Sequence, residues 1–304
     1  MRKFLTIFIT LTLIFGMVGC SNTVNTVNSP KGFTVIDSTG AKITFEKLPN
    51  KIISLLPSDT EIIYALKAQD KVIGVSNLSN YPDEASKKTQ LDSGDKTNIE
   101  AIIGLKPDVI LISKMTQTQA QVKQLQDAGI KVVVTDPKNI ASAYDIINVI
   151  GKICGKDKEA GDMVTSMKKD FAMIKEQTKG VAKNKVYLEI SPLQYGLWTC
   201  GKGTFQQEIM DMCGITNVFS DLNGWKSISE EQVINKNPDI ILTTTDANGF
   251  SKDPIAEIKS RKNWSNISAI KNNKVFSINV DLISKPGPRL VLGAKALMKA
   301  IYGK

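Results

Sequence analysis

The side chains that could carry chemistry in this chain are carboxylates, amines and thiols, because its 304 residues include no histidine. That removes the commonest general base, the triads built on it, and histidine-rich capture of zinc or manganese. No GxxxxGK[ST] stretch occurs, so P-loop hydrolysis of ATP is excluded. Gly201-Lys202-Gly203 looks phosphate-like but lacks the hydroxyl residue after its lysine, and reads as a turn before a helix. Beyond Cys20 the thiols are Cys154, Cys200 and Cys213, an odd number, so at least one stays unpaired. A helix expected over 204–212 holds Cys200 and Cys213 too far apart for a disulfide. With no metal-ligand spacing around them, these thiols read as small buried hydrophobes. Carboxylate catalysis is the one enzymatic route left, and no loop brings two acids together. An exported carboxylate-dependent enzyme is therefore the minor alternative to a non-enzymatic role.

Two acids hold matched places. Residues 98–113, NIEAIIGLKPDVILIS, align without gaps on 229–244, SEEQVINKNPDIILTT. The alignment sets Glu100 over Glu231, Ile103 over Ile234, Pro107 over Pro238 and Asp108 over Asp239. Each copy reads as a short helix opened by a capping residue (Asn98, Ser229), a Pro-Asp turn and a buried strand. Such internal similarity marks a duplicated architecture.

Between the copies lies 157–180, where Ala160, Met163, Val164, Met167, Phe171 and Ile174 recur at helical spacing without a proline. A helix of that length is ~35 Å long at 1.5 Å per residue. The rest alternates strands and helices, which argues for mainly parallel sheets. A hairpin is expected over 34–45 about Ser38-Thr39-Gly40, and strands over 52–56, 71–75, 131–135, 185–190 and 275–278. Ser58 with Glu61 reads as a capping box, while 195–203 and 217–225 read as loops. The fold class is α/β: two Rossmann-like lobes, 32–138 and 183–304, joined through 139–182 by a single long α-helix, with a ligand cleft between them. A stiff interlobe helix predicts only modest closure.

Arg2 and Lys3 precede an apolar run over 4–18 that ends at Gly19-Cys20, a secretory signal over 1–19 too short to serve as a permanent span. A cysteine directly after a small residue is the bacterial lipoprotein arrangement, with Cys20 as the lipidated residue. The polar stretch 20–31 is a flexible tether. The chain is then exported and anchored by lipid to the outer face of the cytoplasmic membrane. Removing Arg2 and Lys3 lowers the net charge from +9 to +7. The remaining lysines are dispersed without interleaved aromatics, which speaks against nucleic acid as a partner.

SLLPSDTE (54–61), GVSNLSNYP (74–82), NIEAIIGLKPDVIL (98–111), YGLWTCGKGTF (195–205), NGWKSISEEQVINKNPDIIL (223–242) and KPGPRLVLGAKAL (285–297) follow one another around the central helix. In that order they resemble the substrate-binding lipoproteins of cobalamin and ferric-siderophore ABC importers, the class whose lobes share one helix. The resemblance runs from Lys51 to the C-terminus. It implies a monomeric protein without catalytic residues, resident cofactor or metal, working with a permease dimer and its cytoplasmic ATPase subunits. It also implies that Glu100 and Glu231 dock on permease arginines. Ligand contacts carried over from the vitamin B12 binders are Trp198, Trp225 and Asp281, with Lys285 where those members have arginine. The first lobe departs from them: Leu78, Gly94 and Ser113 replace aromatics, leaving Tyr81 as the nearest ring. Cobalamin or a related corrinoid is the expected ligand, and a ferric siderophore held by Lys96, Lys114, Lys285 and Arg289 the alternative.

Overall fold

The computed structural model describes residues 32–94, 96–114, 117–181, 183–245 and 253–303. The signal and tether expected over 1–31, with Cys20, lie outside the described residues. Strands β1 (Phe33–Ile36) and β2 (Lys42–Phe45) pair antiparallel as the expected hairpin. Its turn closes on the Asp37 carboxylate, which accepts the Thr39 and Ala41 amides, and Gly40 supplies the left-handed residue at φ 85°.

The first lobe contains β3 (Ile52–Ser54), α1 (Pro57–Ala65), β4 (Val72–Ser76), β5 (Thr89–Leu91), α2 (Ile99–Gly104), β6 (Val109–Ile112), α3 (Gln119–Asp127) and β7 (Lys131–Val134). Its strands form one parallel sheet in the order β5-β4-β3-β6-β7. β6, Val-Ile-Leu-Ile, is buried at every position, as a strand covered on both faces must be. Then come α4 (Ile140–Cys154) and the long α5 (Asp157–Gln177).

The second lobe contains β8 (Lys185–Glu189), β9 (Leu197–Cys200), α6 (Phe205–Met212), β10 (Thr216–Asn217), β11 (Trp225–Ile228), α7 (Glu230–Lys236), β12 (Ile240–Thr245), α8 (Pro254–Ser260), α9 (Ser268–Lys271), β13 (Val275–Asn279), α10 (Val280–Ser284) and α11 (Leu290–Tyr302). Its parallel sheet has the order β10-β8-β12-β13. β9 and β11, expected as loops, instead pair antiparallel in a separate ribbon. Backbone pairing across that ribbon outweighs the flanking glycines that made both stretches read as turns.

The repeated stretches fold alike down to single hydrogen bonds. Asn98 accepts the Ala101 amide and Ser229 the Gln232 amide, each opening its helix. After each helix an aspartate clips two strands together. Asp108 donates its amide to the Lys51 carbonyl and takes the Lys51 amide on its carboxylate. Asp239 makes the same pair of bonds to Lys185.

The capping box expected from Ser58 and Glu61 does not form. Leu56 is the N-cap without a side-chain bond, and Pro57 takes the first helical position, where its missing N–H costs nothing. Ser58 is therefore already inside α1, and Glu61 is drawn to an arginine described below.

Helix α5 is no free-standing strut. Ala160, Val164, Met167, Phe171 and Ile174 enter one apolar core with α4, α11 and one face of each sheet, through Val109 and Leu111 on one side and Val186 and Leu242 on the other. α4 and α5 touch at Gly151, where a Cβ would stand 2.4 Å from the Ala160 Cβ. The outer sheet faces bury separate cores, Ile53 with Ile110 and Leu125 in the first lobe, Tyr187 with Ile241 and Trp264 in the second. Two half-domains thus share a helical back and stay apart in front.

Candidate functional site

A cleft of about 650 Å³ lies between the lobes at the carboxyl ends of their strands. Open α/β sheets place ligands where the strand order reverses. The first sheet reverses at β3, between β4 and β6, and its wall carries Pro57 and Ser58 after β3, Ser113 and Lys114 after β6, and Thr135 to Lys138 after β7. Ile190, Phe205, Trp225 and Lys285 line the facing wall.

Trp225 opens β11, is 38% exposed and meets the Phe205 ring edge-on at 6.0 Å between centroids. Trp198 sits on β9, is 41% exposed and pairs across the ribbon with Ser227. With Cys200 opposite Trp225, that register puts both indoles on one face of the ribbon as a diagonal pair. The Trp198 carbonyl accepts the amide of the cleft residue Ile190.

Behind this wall the lobes are tied by an ionic cluster. Glu61 on α1, 2% exposed at its side chain, receives a two-pronged hydrogen bond from Arg289 at the start of α11. Lys285 donates to Asn80 at 2.9 Å and pairs with Asp281 at 3.0 Å. Tyr81 lies flat under the Arg289 guanidinium, 3.9 Å from it. Asp281 and Lys285 are thus joined to each other and to the first lobe. Tyr81 lines a second cavity, of about 790 Å³, bounded by α1, α5 and α11. Of the other cations, Lys114 lines the cleft, Arg289 belongs to the cluster and Lys96 is exposed.

Glu100 and Glu231 are exposed in the first turns of α2 and α7. The Glu231 carboxyl is held below the usual range by its own backbone amide and then by the Ser229 hydroxyl. The thiols of Cys154, Cys200 and Cys213 are free and buried, and burial pushes each up to about 12. Among the described residues no cluster could hold a metal ion, and no helix is long and apolar enough to cross a membrane.

Sequence reasoning missed Asn80, Phe205, Lys138 and Asp59. Asp59 lies under the cleft wall, fully buried, accepting the Thr135 hydroxyl. Burial, with the nearby Asp136 charge adding to it, raises its carboxyl to about 8 against the pull of the Thr135 bond. The folded state therefore keeps a proton that the unfolded chain gives up near 3.8. Stability should fall as pH rises through that window and level off above about 8. Urea midpoints of wild type and Asp59→Asn at pH 5, 7 and 9 check this, the variant losing that part of the slope.

Residues 52–282 match the family described as periplasmic binding protein. The chain belongs to that family. Among curated relatives, this binding protein is 37% identical over 276 residues to YvrC of Bacillus subtilis, an uncharacterized ABC transporter substrate-binding lipoprotein, covering 88% of this chain and 85% of that one. It is 31% identical over 252 residues to a vitamin B12-binding protein of Salmonella typhi, covering 83% and 90%. A solved structure from Staphylococcus epidermidis, described as a possible iron-binding periplasmic solute-binding protein, superposes with a TM-score of 0.74 at 36% identity, covering 84% of this chain and all of that one.

Proposed function

We propose that this binding protein is an extracytoplasmic lipoprotein that captures cobalamin or a related corrinoid and delivers it to an ABC importer. The carrying observation is the open interlobe cleft with Trp225 on its wall and Trp198 beside it on the same ribbon face, in a chain akin to a vitamin B12-binding protein over nearly its whole folded length. Indole faces suit a broad, flat, mostly uncharged ligand, and a cleft open to solvent leaves room for one larger than its floor. In this reading Glu100 and Glu231 are the handles for a permease dimer that works with cytoplasmic ATPase subunits. Cys20 carries the lipid, the protein acts as a monomer on the outer face of the cytoplasmic membrane, and no covalent step or resident cofactor is needed. Asp281 and Lys285 reach the ligand from the ionic cluster, so their contacts are coupled to how the lobes are held.

A ferric siderophore is the second reading. It is favoured by the missing first-lobe aromatics at Leu78, Gly94 and Ser113, by the cationic Lys114, and by the likeness to a possible iron-binding protein. Titrating the full-length protein in detergent with cyanocobalamin and with ferric hydroxamate and catecholate siderophores, while following tryptophan fluorescence, separates the two. Saturable quenching by the corrinoid, weakened in Trp225→Ala, is the expected result. Quenching by a siderophore alone would replace the first reading with the second.

A further inference from the structure

The two walls of the cleft differ in chemistry. On the second-lobe side stand Ile190, Phe205 and Trp225, and the one ammonium there among the described residues, Lys285, is already engaged by Asn80 and Asp281. The first-lobe side instead presents Lys114 after β6 and Lys138 after β7. Both lysines are exposed, and among the described residues neither forms an ion pair. Among the described residues the carboxylate on that wall is Asp136, which takes the Lys114 backbone amide at 2.8 Å, so one of its oxygens is spent on the chain.

β6 and β7 are parallel neighbours, with Ile112 opposite Val134 at their last paired positions. Lys114 and Lys138 therefore leave adjacent strand ends two and four residues beyond that pair, on one rim. Neutral hydroxyl residues such as Ser58 and Thr135 line the wall beneath them. An amphipathic cleft of this kind orients its guest: the flat face goes to the indole side and an anionic edge to the lysines.

We infer that Lys114 and Lys138 form an anion subsite that selects ligands bearing a peripheral oxyanion, a phosphodiester or a carboxylate, and fixes which edge faces the first lobe. The inference deepens the corrinoid reading and rests on it, since cobalamin carries one such group, the phosphodiester of its nucleotide loop. Cobinamide keeps the corrin ring but lacks that loop.

The test titrates wild type and Lys114→Gln/Lys138→Gln, full length in detergent, with cyanocobalamin and with dicyanocobinamide. The double variant should lose about tenfold or more in affinity for cobalamin, as expected for a charge-assisted hydrogen bond, and change less than about twofold for cobinamide. Added salt should weaken cobalamin binding in the wild type and do so less in the variant, because the amines are exposed. Equal losses for both corrinoids, or no loss for cobalamin, would overturn the subsite while leaving the corrinoid reading intact. If wild type binds neither corrinoid, that reading fails, and the same variant is compared on an anionic ferric catecholate and a neutral ferric hydroxamate. A loss confined to the anionic complex then supports the subsite, whereas equal losses, no loss, or no binding of either complex by the wild type overturn it.

Discussion

Reversing Glu100 and Glu231 together to lysine should reduce ligand uptake by cells about a hundredfold or more, while the affinity of the purified protein for its ligand stays unchanged. Each carboxylate is exposed in the first turn of its helix, and neither lines the cleft. Their surroundings are duplicated: a capping side chain before the helix and an aspartate strand clip after it. Two equivalent anions on two sister lobes suit a permease surface with two-fold symmetry. Losing one buried interfacial charge pair costs about 2–5 kcal/mol, so a single reversal should already impair uptake, and widely separated sites should add. Radiolabelled ligand uptake in cells, beside fluorescence titration of the same variants, checks this. Lost ligand affinity, or full uptake with both charges reversed, would remove the docking role.

Arg289→Met should lower folding stability by about 3–5 kcal/mol, because it leaves a buried carboxylate without its partner. Glu61 is 2% exposed at its side chain, and burial pushes its carboxyl up while the Arg289 bond and charge pull it back. Lys285, 3.8 Å from Glu61, also pairs with Asp281 and bonds Asn80, so it offers Glu61 a longer and shared charge in place of the lost bidentate guanidinium. Methionine also forfeits the stacking on Tyr81. The deficit should shrink at acidic pH, where Glu61 can take a proton and shed the uncompensated charge. Adding Glu61→Gln should recover a large part of it at neutral pH. Urea denaturation of both variants at pH 5 and pH 8 measures these effects, and a loss below about 1 kcal/mol would show that the cluster is incidental. Because it joins α1 to the start of α11, this cluster, together with the shared helical core, opposes separation of the lobes.

The long helix, the alternation of strands and helices and the twin short helices with their Pro-Asp turns were all legible in the chain itself. They rest on local signals: apolar spacing, capping side chains and proline, which act within a few residues and need no partner from afar. Asp108 and Asp239 show the limit of that reading. Their turn could be seen in the sequence, but their clip to Lys51 and Lys185 spans 57 and 54 residues. Tertiary structure alone decided that Glu61 would abandon a helix cap for Arg289, 228 residues away, since a charged bidentate bond outweighs a local amide contact once both are out of water. It likewise decided that the stretches around Trp198 and Trp225 would pair as a ribbon, setting their indoles on one face. Lys138 and Asp59 carried no signal in the sequence, because a lone lysine or aspartate acquires a role only from the wall it is folded into.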